Sequence, residues 1–275
     1  MASSRSMIDQ NQIAQYRSDG VTCLRGVIGQ RWIDALREGV EENLRAPGPY
    51  AKHYTPQGNP GRFFGDYCNW QRIRQYRDFL LESGVAALAA QLMGSKKVNL
   101  YHEHVLVKEP GTLEKTPWHH DQPYYPVDGH QIVSLWIPLD AVSQETCVEY
   151  IVGSHRWGKW YAPKRFVDSA EHDGTQSMES IPDEASLRAQ YKLVSYALQP
   201  GDCIAFHALT LHGAPGNAQP TRRRAFAARF TGDDARFALR EGFMSPPPPE
   251  KGAPPNGAPM DSDAFPVVYG PESKR

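Results

Sequence analysis

Trp118-His119-His120-Asp121 is answered far downstream by His212-Gly213 and then by Arg223. His119 and Asp121 stand at i and i+2, and on an extended strand those two positions point to one face. A distant histidine completes a set of two imidazoles and one carboxylate. Gathered on a single face, such a set suits non-haem Fe(II) with coordination positions left open. Arg223 adds a fixed planar cation for the carboxylate of a second ligand near the metal. It sits inside the triplet Arg222-Arg223-Arg224, where alternation places Arg222 and Arg224 on one face and Arg223 on the other. The residues alone do not choose among the three, and a basic triplet is otherwise a solvated patch.

The remaining histidines have blander readings. His120 lies between two ligand candidates, faces the opposite side of the strand, and reads as a packing or hydrogen-bonding residue. His102 and His104 share one face of their strand with Leu100, Leu106 and Lys108. If that face lines a barrel interior, His104 or Lys108 reaches an anionic cosubstrate; otherwise the pair is a buried polar cluster. His53, His130, His155, His172 and His207 have no spacing argument and read as structural.

The elements that must position these residues follow from hydrophobic periodicity. Helices are expected over Ile8 to Asp19, Arg31 to Leu44, Trp70 to Tyr76 and Phe79 to Met93. The second is marked by Ile33, Leu36, Val40 and Leu44. A short strand is expected over Val21 to Val27, and the proline- and glycine-rich Arg45 to Gly61 reads as a mobile loop. Further strands are expected over Val98 to Lys108, Ile132 to Leu139, Val148 to Val152, Lys192 to Leu198, Asp202 to His207 and Ala225 to Phe230. Turn signals such as Glu109-Pro110-Gly111 and Gln199-Pro200-Gly201 separate them. Helices first and strands after indicate an α+β, mainly β chain: a sandwich or barrel flanked by N-terminal helices. The proline run from Ser245 to Pro259 reads as an extended tail.

Bulk properties narrow the function. A length of 275 residues fits one large domain, with 40% hydrophobic and 22% charged residues. The net charge of -1 gives no electrostatic reason to expect nucleic acid or an anionic membrane as partner. Cys23, Cys68, Cys147 and Cys203 are isolated, which reads as reduced thiols rather than a zinc site or disulfide frame. No apolar run approaches the roughly 20 residues of a membrane span. The N-terminus lacks a secretory core, and the terminal Glu-Ser-Lys-Arg is not a peroxisomal address. A cytoplasmic monomer or homodimer is the expectation.

The motifs Leu106-Val107-Lys108-Glu109-Pro110-Gly111, Trp118-His119-His120-Asp121, Ser134-Leu135-Trp136-Ile137-Pro138-Leu139, Val152-Gly153-Ser154-His155-Arg156, Pro200-Gly201-Asp202 and His212-Gly213 through Asn217 to Arg223 together carry a resemblance. From about Val98 to Arg229 the chain resembles the phytanoyl-CoA dioxygenase-like family of Fe(II)/2-oxoglutarate oxygenases. The resemblance implies a double-stranded β-helix (jelly-roll, cupin-like) at 98–230; with the mostly helical flank at 8–93 and the extended tail at 245–275 read above, the expectation is a single domain over 1–275. It implies His119, Asp121 and His212 on iron, with Arg223, eleven residues past the last ligand, on the distal carboxylate of 2-oxoglutarate. Trp136, Thr116 and His104 stand where relatives contact the cosubstrate. Two departures are visible: His120 replaces a usual glutamine, and Gln144-Glu145-Thr146-Cys147-Val148-Glu149 replaces a turn that commonly carries Asn-Gly. Asp121 is retained, which argues for oxygenation, since halogenating relatives lose this carboxylate.

The expected activity is hydroxylation of an unactivated C–H on a small-molecule substrate, consuming 2-oxoglutarate and O2 and releasing succinate and CO2. Substrate contacts are expected from Gln122, Tyr124, Lys108 and Arg62. Lys52, His53, Arg62 and Tyr124 suit a polar or anionic molecule, and Phe63, Phe64, Trp157, Trp160 and Tyr161 an apolar one. Two other readings stand beside it: a cupin-like isomerase or dioxygenase without 2-oxoglutarate, which has no need of Arg223, and a non-catalytic sensing relative, whose signature would be a lost ligand.

Overall fold

The computed structural model describes residues 8–175 and 177–271. Its first third holds α1 (Gln10–Asp19), β1 (Val21–Leu24), α2 (Gln30–Arg45), β2 (Lys52–His53), β3 (Phe63–Tyr67), α3 (Arg74–Glu82) and α4 (Val85–Met93). Then come β4 (Val98–Lys108), β5 (Thr116–His119), β6 (Val127–Asp128), β7 (Ile132–Pro138), β8 (Glu149–Ile151), α5 (Glu184–Gln190) and β9 (Leu193–Val194). The chain closes with β10 (Cys203–His207), β11 (His212–Ala214), β12 (Arg223–Thr231), β13 (Arg236–Phe237) and β14 (Val267–Tyr269).

Local chemistry explains the helix ends. Asp9 caps α1 through a reciprocal capping box with Gln12, and Gly20 ends it at φ +76°, a conformation that costs glycine little. α2 buries Ile33, Leu36 and Val40 as its spacing predicts. The expected break between Tyr76 and Phe79 is not there. Instead α3 runs through both residues, and the chain breaks at Ser83-Gly84, where Gly84 takes φ +84°.

Two sheets form the core. The larger has the order β1-β10-β7-β12-β4-β3-β2, with β14 also on β4; the smaller has the order β5-β11-β8-β9. Neighbouring strands pair antiparallel in both. Side chains from the two sheets line one chamber, the arrangement of a double-stranded β-helix. Strand alternation sorts the larger sheet by face. On β12, Phe226, Ala228 and Phe230 join Val105, Val107, Val133, Leu135 and Ile137 in a core against α2, α3 and α4. Arg223, Ala225, Ala227 and Arg229 turn the other way, into the chamber. A register shift between Arg229 and Phe230 puts Leu100 in the helix-side core, away from the chamber face that His102 and His104 share.

The flank is less purely helical than expected, because β1, β2 and β3 all join the larger sheet. The segment 45–61 is tethered: Gly48 N–H donates to Asp66 Oδ2 at 2.7 Å, and Lys52 pairs with Gly65. The expected strand from Lys192 to Leu198 shortens to β9, and α5 was not expected. The tail runs back over the molecule, with Ser245 N–H donating to Tyr124 O at 2.8 Å and β14 pairing with the start of β4. All four cysteines are free, but only Cys147 and Cys203 are buried; Cys23 and Cys68 are half-buried. Among the described residues no helix is long and apolar enough to cross a membrane.

Candidate active site

His119 ends β5 and His212 begins β11, and the two are direct cross-strand partners. Asp121 is not on the strand. It has αR backbone angles (φ -74°, ψ -42°) and precedes a 3-10 turn over Gln122–Tyr124, so flat-strand alternation is not what aligns it with His119. The chain is turned there because Asp121 N–H and Gln122 N–H both donate to Ala208 O, at 2.8 and 3.0 Å. The outcome is nonetheless convergence: ligand atoms of His119, Asp121 and His212 lie within 4.8 Å of one another, all three residues buried.

The donor set fits a metal ion on this chain's own geometry. His119 Nδ1 meets Pro117 O at 2.8 Å and His212 Nδ1 meets Thr210 O at 2.9 Å, contacts in which only a protonated Nδ1 can donate. That tautomer leaves each Nε2 lone pair free, as a metal ligand requires. Both Nε2 atoms face Asp121 Oδ1, at 3.6 and 3.9 Å. The other carboxylate oxygen, Oδ2, accepts from Ser134 Oγ at 3.0 Å and from Arg229 Nε at 3.3 Å. One oxygen is thus held by the protein while the other faces the imidazoles. Burial alone would raise the Asp121 carboxyl, but the Arg229 guanidinium beside it outweighs that and holds it well below the usual carboxylate range. Burial lowers His212 to about 3, with His119 adding to it, so its ring is neutral.

Sequence reasoning missed Arg229 and Ser134. A signal existed for both: Arg229 has the same strand parity as Arg223, and Ser134 the same parity as Trp136.

The chamber encloses about 400 Å³, within the range of small-molecule sites. Arg223 lines it, buried, and donates through Nη1 to Thr146 O, in the segment that departs from the family's Asn-Gly turn. Burial pulls Arg223 down to about 10, which still leaves it charged at neutral pH. Arg222 and Arg224 are not a simple solvated patch. Both reach Glu41 on α2, Arg222 also meets Glu109 and Arg224 meets Asp140, all within 2.9 Å, which bolts β12 to the helical layer. Lys108 is the cross-strand partner of Arg223. Its Nζ donates to Glu114 O and Pro215 O, both at 2.9 Å, leaving the third donor of an ammonium for the chamber. Burial, aided by the Arg223 charge, lowers Lys108 well below the usual lysine range.

Trp136 and Thr116 both line the chamber. So does His104, but it stands four residues along β4 from Lys108, roughly 13 Å by strand rise. It is therefore at the end opposite Arg223, where burial and then Arg229 lower its ring to about 3. His120 points away and accepts from Tyr161 N–H at 2.8 Å, a structural role as expected.

Several expected substrate contacts are corrected. Gln122 does not line the chamber; its side-chain amide donates to Gly129 O at 2.8 Å and staples the turn after the motif. Arg62 is exposed and lies over Phe64 on the outer face, since Phe63, one residue on, takes the inner one. Phe64, Trp157, Trp160 and Tyr161 likewise do not line it, whereas Lys52, His53 and Phe63 do. Tyr124 forms a wall, but its hydroxyl is committed to the backbone of Lys164, donating to O at 2.8 Å and accepting from N–H at 2.7 Å. His53 and His172, read as structural, both border the chamber.

Comparison with known proteins agrees with this architecture. The family described as phytanoyl-CoA dioxygenase (PhyH) matches residues 16–225. A probable phytanoyl-CoA dioxygenase of Caenorhabditis elegans is 25% identical over 262 residues, covering 86% of this chain and 80% of that protein. The peroxisomal phytanoyl-CoA dioxygenase of Homo sapiens is 25% identical over 183 residues, which span 62% of this chain and 46% of that one. Among solved structures, the non-haem alpha-ketoglutarate-dependent epimerase SnoN from nogalamycin biosynthesis has a TM-score of 0.74 at 22% identity, covering 94% of this chain and 98% of its own. EctD from S. alaskensis, with 2-oxoglutarate and 5-hydroxyectoine, has a TM-score of 0.65 at 18% identity, covering 94% and 88%. Likeness at these identities is a likeness of fold.

Proposed function

This chain belongs to the phytanoyl-CoA dioxygenase family, and on that premise we propose that it hydroxylates an unactivated C–H of a small-molecule metabolite, using Fe(II), 2-oxoglutarate and O2. The observation that carries the reading is the three-residue cluster with one cation-bearing end. His119, Asp121 and His212 hold the metal, and Arg223, with Lys108 beside it, receives the far carboxylate of the keto-diacid. When bound, the metal and 2-oxoglutarate supply the oxygen activation and oxidising power for C–H chemistry, with succinate and CO2 released.

The protein's part is positioning. Pro117 O and Thr210 O fix the two imidazole tautomers, while Ser134 and Arg229 keep Asp121 ionised and aimed. Thr146 O sets the plane of the Arg223 guanidinium, and Ala225 and Ala227 leave room between Arg223 and the ligand cluster for a short dicarboxylate. Trp136, Phe63, Tyr124 and Phe206 wall the chamber and limit water.

The test is an anaerobic Fe(II) titration with and without 2-oxoglutarate. A weak visible charge-transfer band that needs both, and that is absent in Asp121→Ala, is the expected result. No such band would return the chain to the cupin-like reading without 2-oxoglutarate. A second outcome is tested beside it, since SnoN, which shares this fold, is an epimerase. Incorporation of ¹⁸O from ¹⁸O2 into product marks hydroxylation, whereas a product isomeric with the substrate, free of ¹⁸O and formed with succinate, marks epimerisation.

A further inference from the structure

The charges lining the chamber do not balance. Asp121 is its one carboxylate among the described residues, against Lys52, Lys108, Lys164, Arg165, Arg223 and Arg229. Resting on the proposed function, Fe(II) and Arg223 neutralise Asp121 and the two carboxylates of 2-oxoglutarate. Arg165 is matched by Asp168 at 2.7 Å. Lys108 spends two donors on backbone carbonyls at the cosubstrate end. Arg229 faces Asp121 Oδ2 at 3.3 Å, which leaves Lys52 and Lys164 over. Among the described residues neither Lys52 nor Lys164 has an ion-pair partner, while Arg229 keeps a buried Nη1 with no hydrogen-bond partner. A surplus of positive charge lining a cleft raises the local concentration of anions.

Their placement is coherent. Lys52 is on the edge strand β2, opposite Gly65. Gly65 has no side chain on the inner face, and a Cβ there would lie 2.8 Å from Tyr54 and 3.2 Å from His104 Nε2. The space over Gly65 is thus filled by Tyr54 and His104, and Lys52 borders the chamber beside them; His104 Nε2 lacks a partner. Lys164 also lines the chamber, its backbone pinned by the Tyr124 hydroxyl. Phe63, Phe166 and Phe243 supply apolar wall to the same chamber.

We propose that the substrate of this site is a small molecule with an apolar body and an anionic group, carboxylate or phosphate, received by Lys52 and Lys164.

The test uses the anaerobic holoenzyme with Fe(II) and saturating 2-oxoglutarate, so that Arg223 is already engaged. Calorimetry compares four probes of one chain length: hexanoate, hexyl phosphate, hexanamide and hexylammonium. At least one of the two anions should bind about tenfold or more tighter than hexanamide, the scale of a hydrogen bond to a charged group; which one identifies the anion. Lys52→Gln should cut that preference roughly threefold, as suits an exposed lysine. The double variant Lys52→Gln/Lys164→Gln should bring it to about twofold or less, and Lys52→Glu should shift preference towards hexylammonium. Equal binding of anions and amide by the wild type would overturn the proposal, as would an unchanged preference in a folded double variant. Failure of 2-oxoglutarate itself to bind in the first arm would instead overturn the oxygenase reading.

Discussion

Arg223 and Arg229 sit six residues apart on one strand and do different work through the groups they face. Among the described residues Arg223 meets only a backbone carbonyl, which leaves its remaining donors for a ligand. Arg223→Ala should therefore weaken 2-oxoglutarate binding roughly tenfold to a hundredfold, the loss expected for charge-assisted hydrogen bonds, while leaving Fe(II) affinity unchanged. Anaerobic calorimetry on both ligands separates the two effects, and unaltered cosubstrate affinity would contradict the assignment. Arg229 instead faces Asp121 Oδ2, together with Ser134. Partners that hold a metal-binding carboxylate are worth about ten- to a hundredfold in metal affinity. Arg229→Leu should show a loss of that order and Ser134→Ala a smaller one, measured by competition against a chelating dye without 2-oxoglutarate. Equal Fe(II) affinity in both variants would make the contact merely structural.

The loop from β11 to β12 separates the last ligand candidate from Arg223, and one side chain organises it. Asn217 Nδ2 donates to Lys108 O at 2.9 Å and to Thr221 O at 2.8 Å, while its backbone exchanges bonds with Gly111 and Thr112. The loop end is thereby pinned to the strand that carries Lys108. Asn217→Ala would leave a buried carbonyl unpaired, at a cost of about 1 to 3 kcal/mol. It should lower the urea midpoint and also raise the Kd for 2-oxoglutarate, because Arg223 would lose its register against Lys108. A stability loss with no change in that Kd would show that β12 holds Arg223 without help from the loop. Neighbouring elements were legible to different degrees. β4 was expected at its observed bounds because its apolar alternation is long. The α3–α4 break was misplaced because Ser83-Gly84 interrupts a run whose apolar spacing continues past it.

Across the molecule, burial of neutral imidazoles sets how stability responds to acid. Burial lowers both His120 and His207 to about 4. His207 is fixed as a neutral tautomer, Nε2 donating to His130 O at 2.7 Å and Nδ1 accepting from Leu209 N–H at 3.0 Å. A folded value below the unfolded one, about 6.5, means stability is full above that pH and is lost as pH falls towards 4. Each histidine should contribute a loss of roughly 2 kcal/mol between pH 7.5 and pH 5. Glu103, which burial raises to about 8, acts in the opposite sense over the same interval, so the informative quantity is a difference. His207→Gln should be less stable than wild type at pH 7.5 yet fall less steeply towards pH 5, as read by urea unfolding at the two pH values. Parallel slopes would remove His207 from the account.

The amino-acid order by itself determined the ligand types, the basic triplet beyond them, the helical spacing of α2 and the alternation of β12 and of β4 from His102 onward. Those features are local: periods of 3.6 and 2 and the chemistry of neighbouring residues are written along the chain. Only the folded molecule decided that Asp121 leaves the strand on Ala208 O, that Arg229 reaches it from 108 residues away, and that Gln122 and Arg62 turn from the chamber while Lys52 borders it. Where a strand ends, shifts register or meets a distant partner depends on contacts between segments far apart in sequence, and no local pattern carries that information.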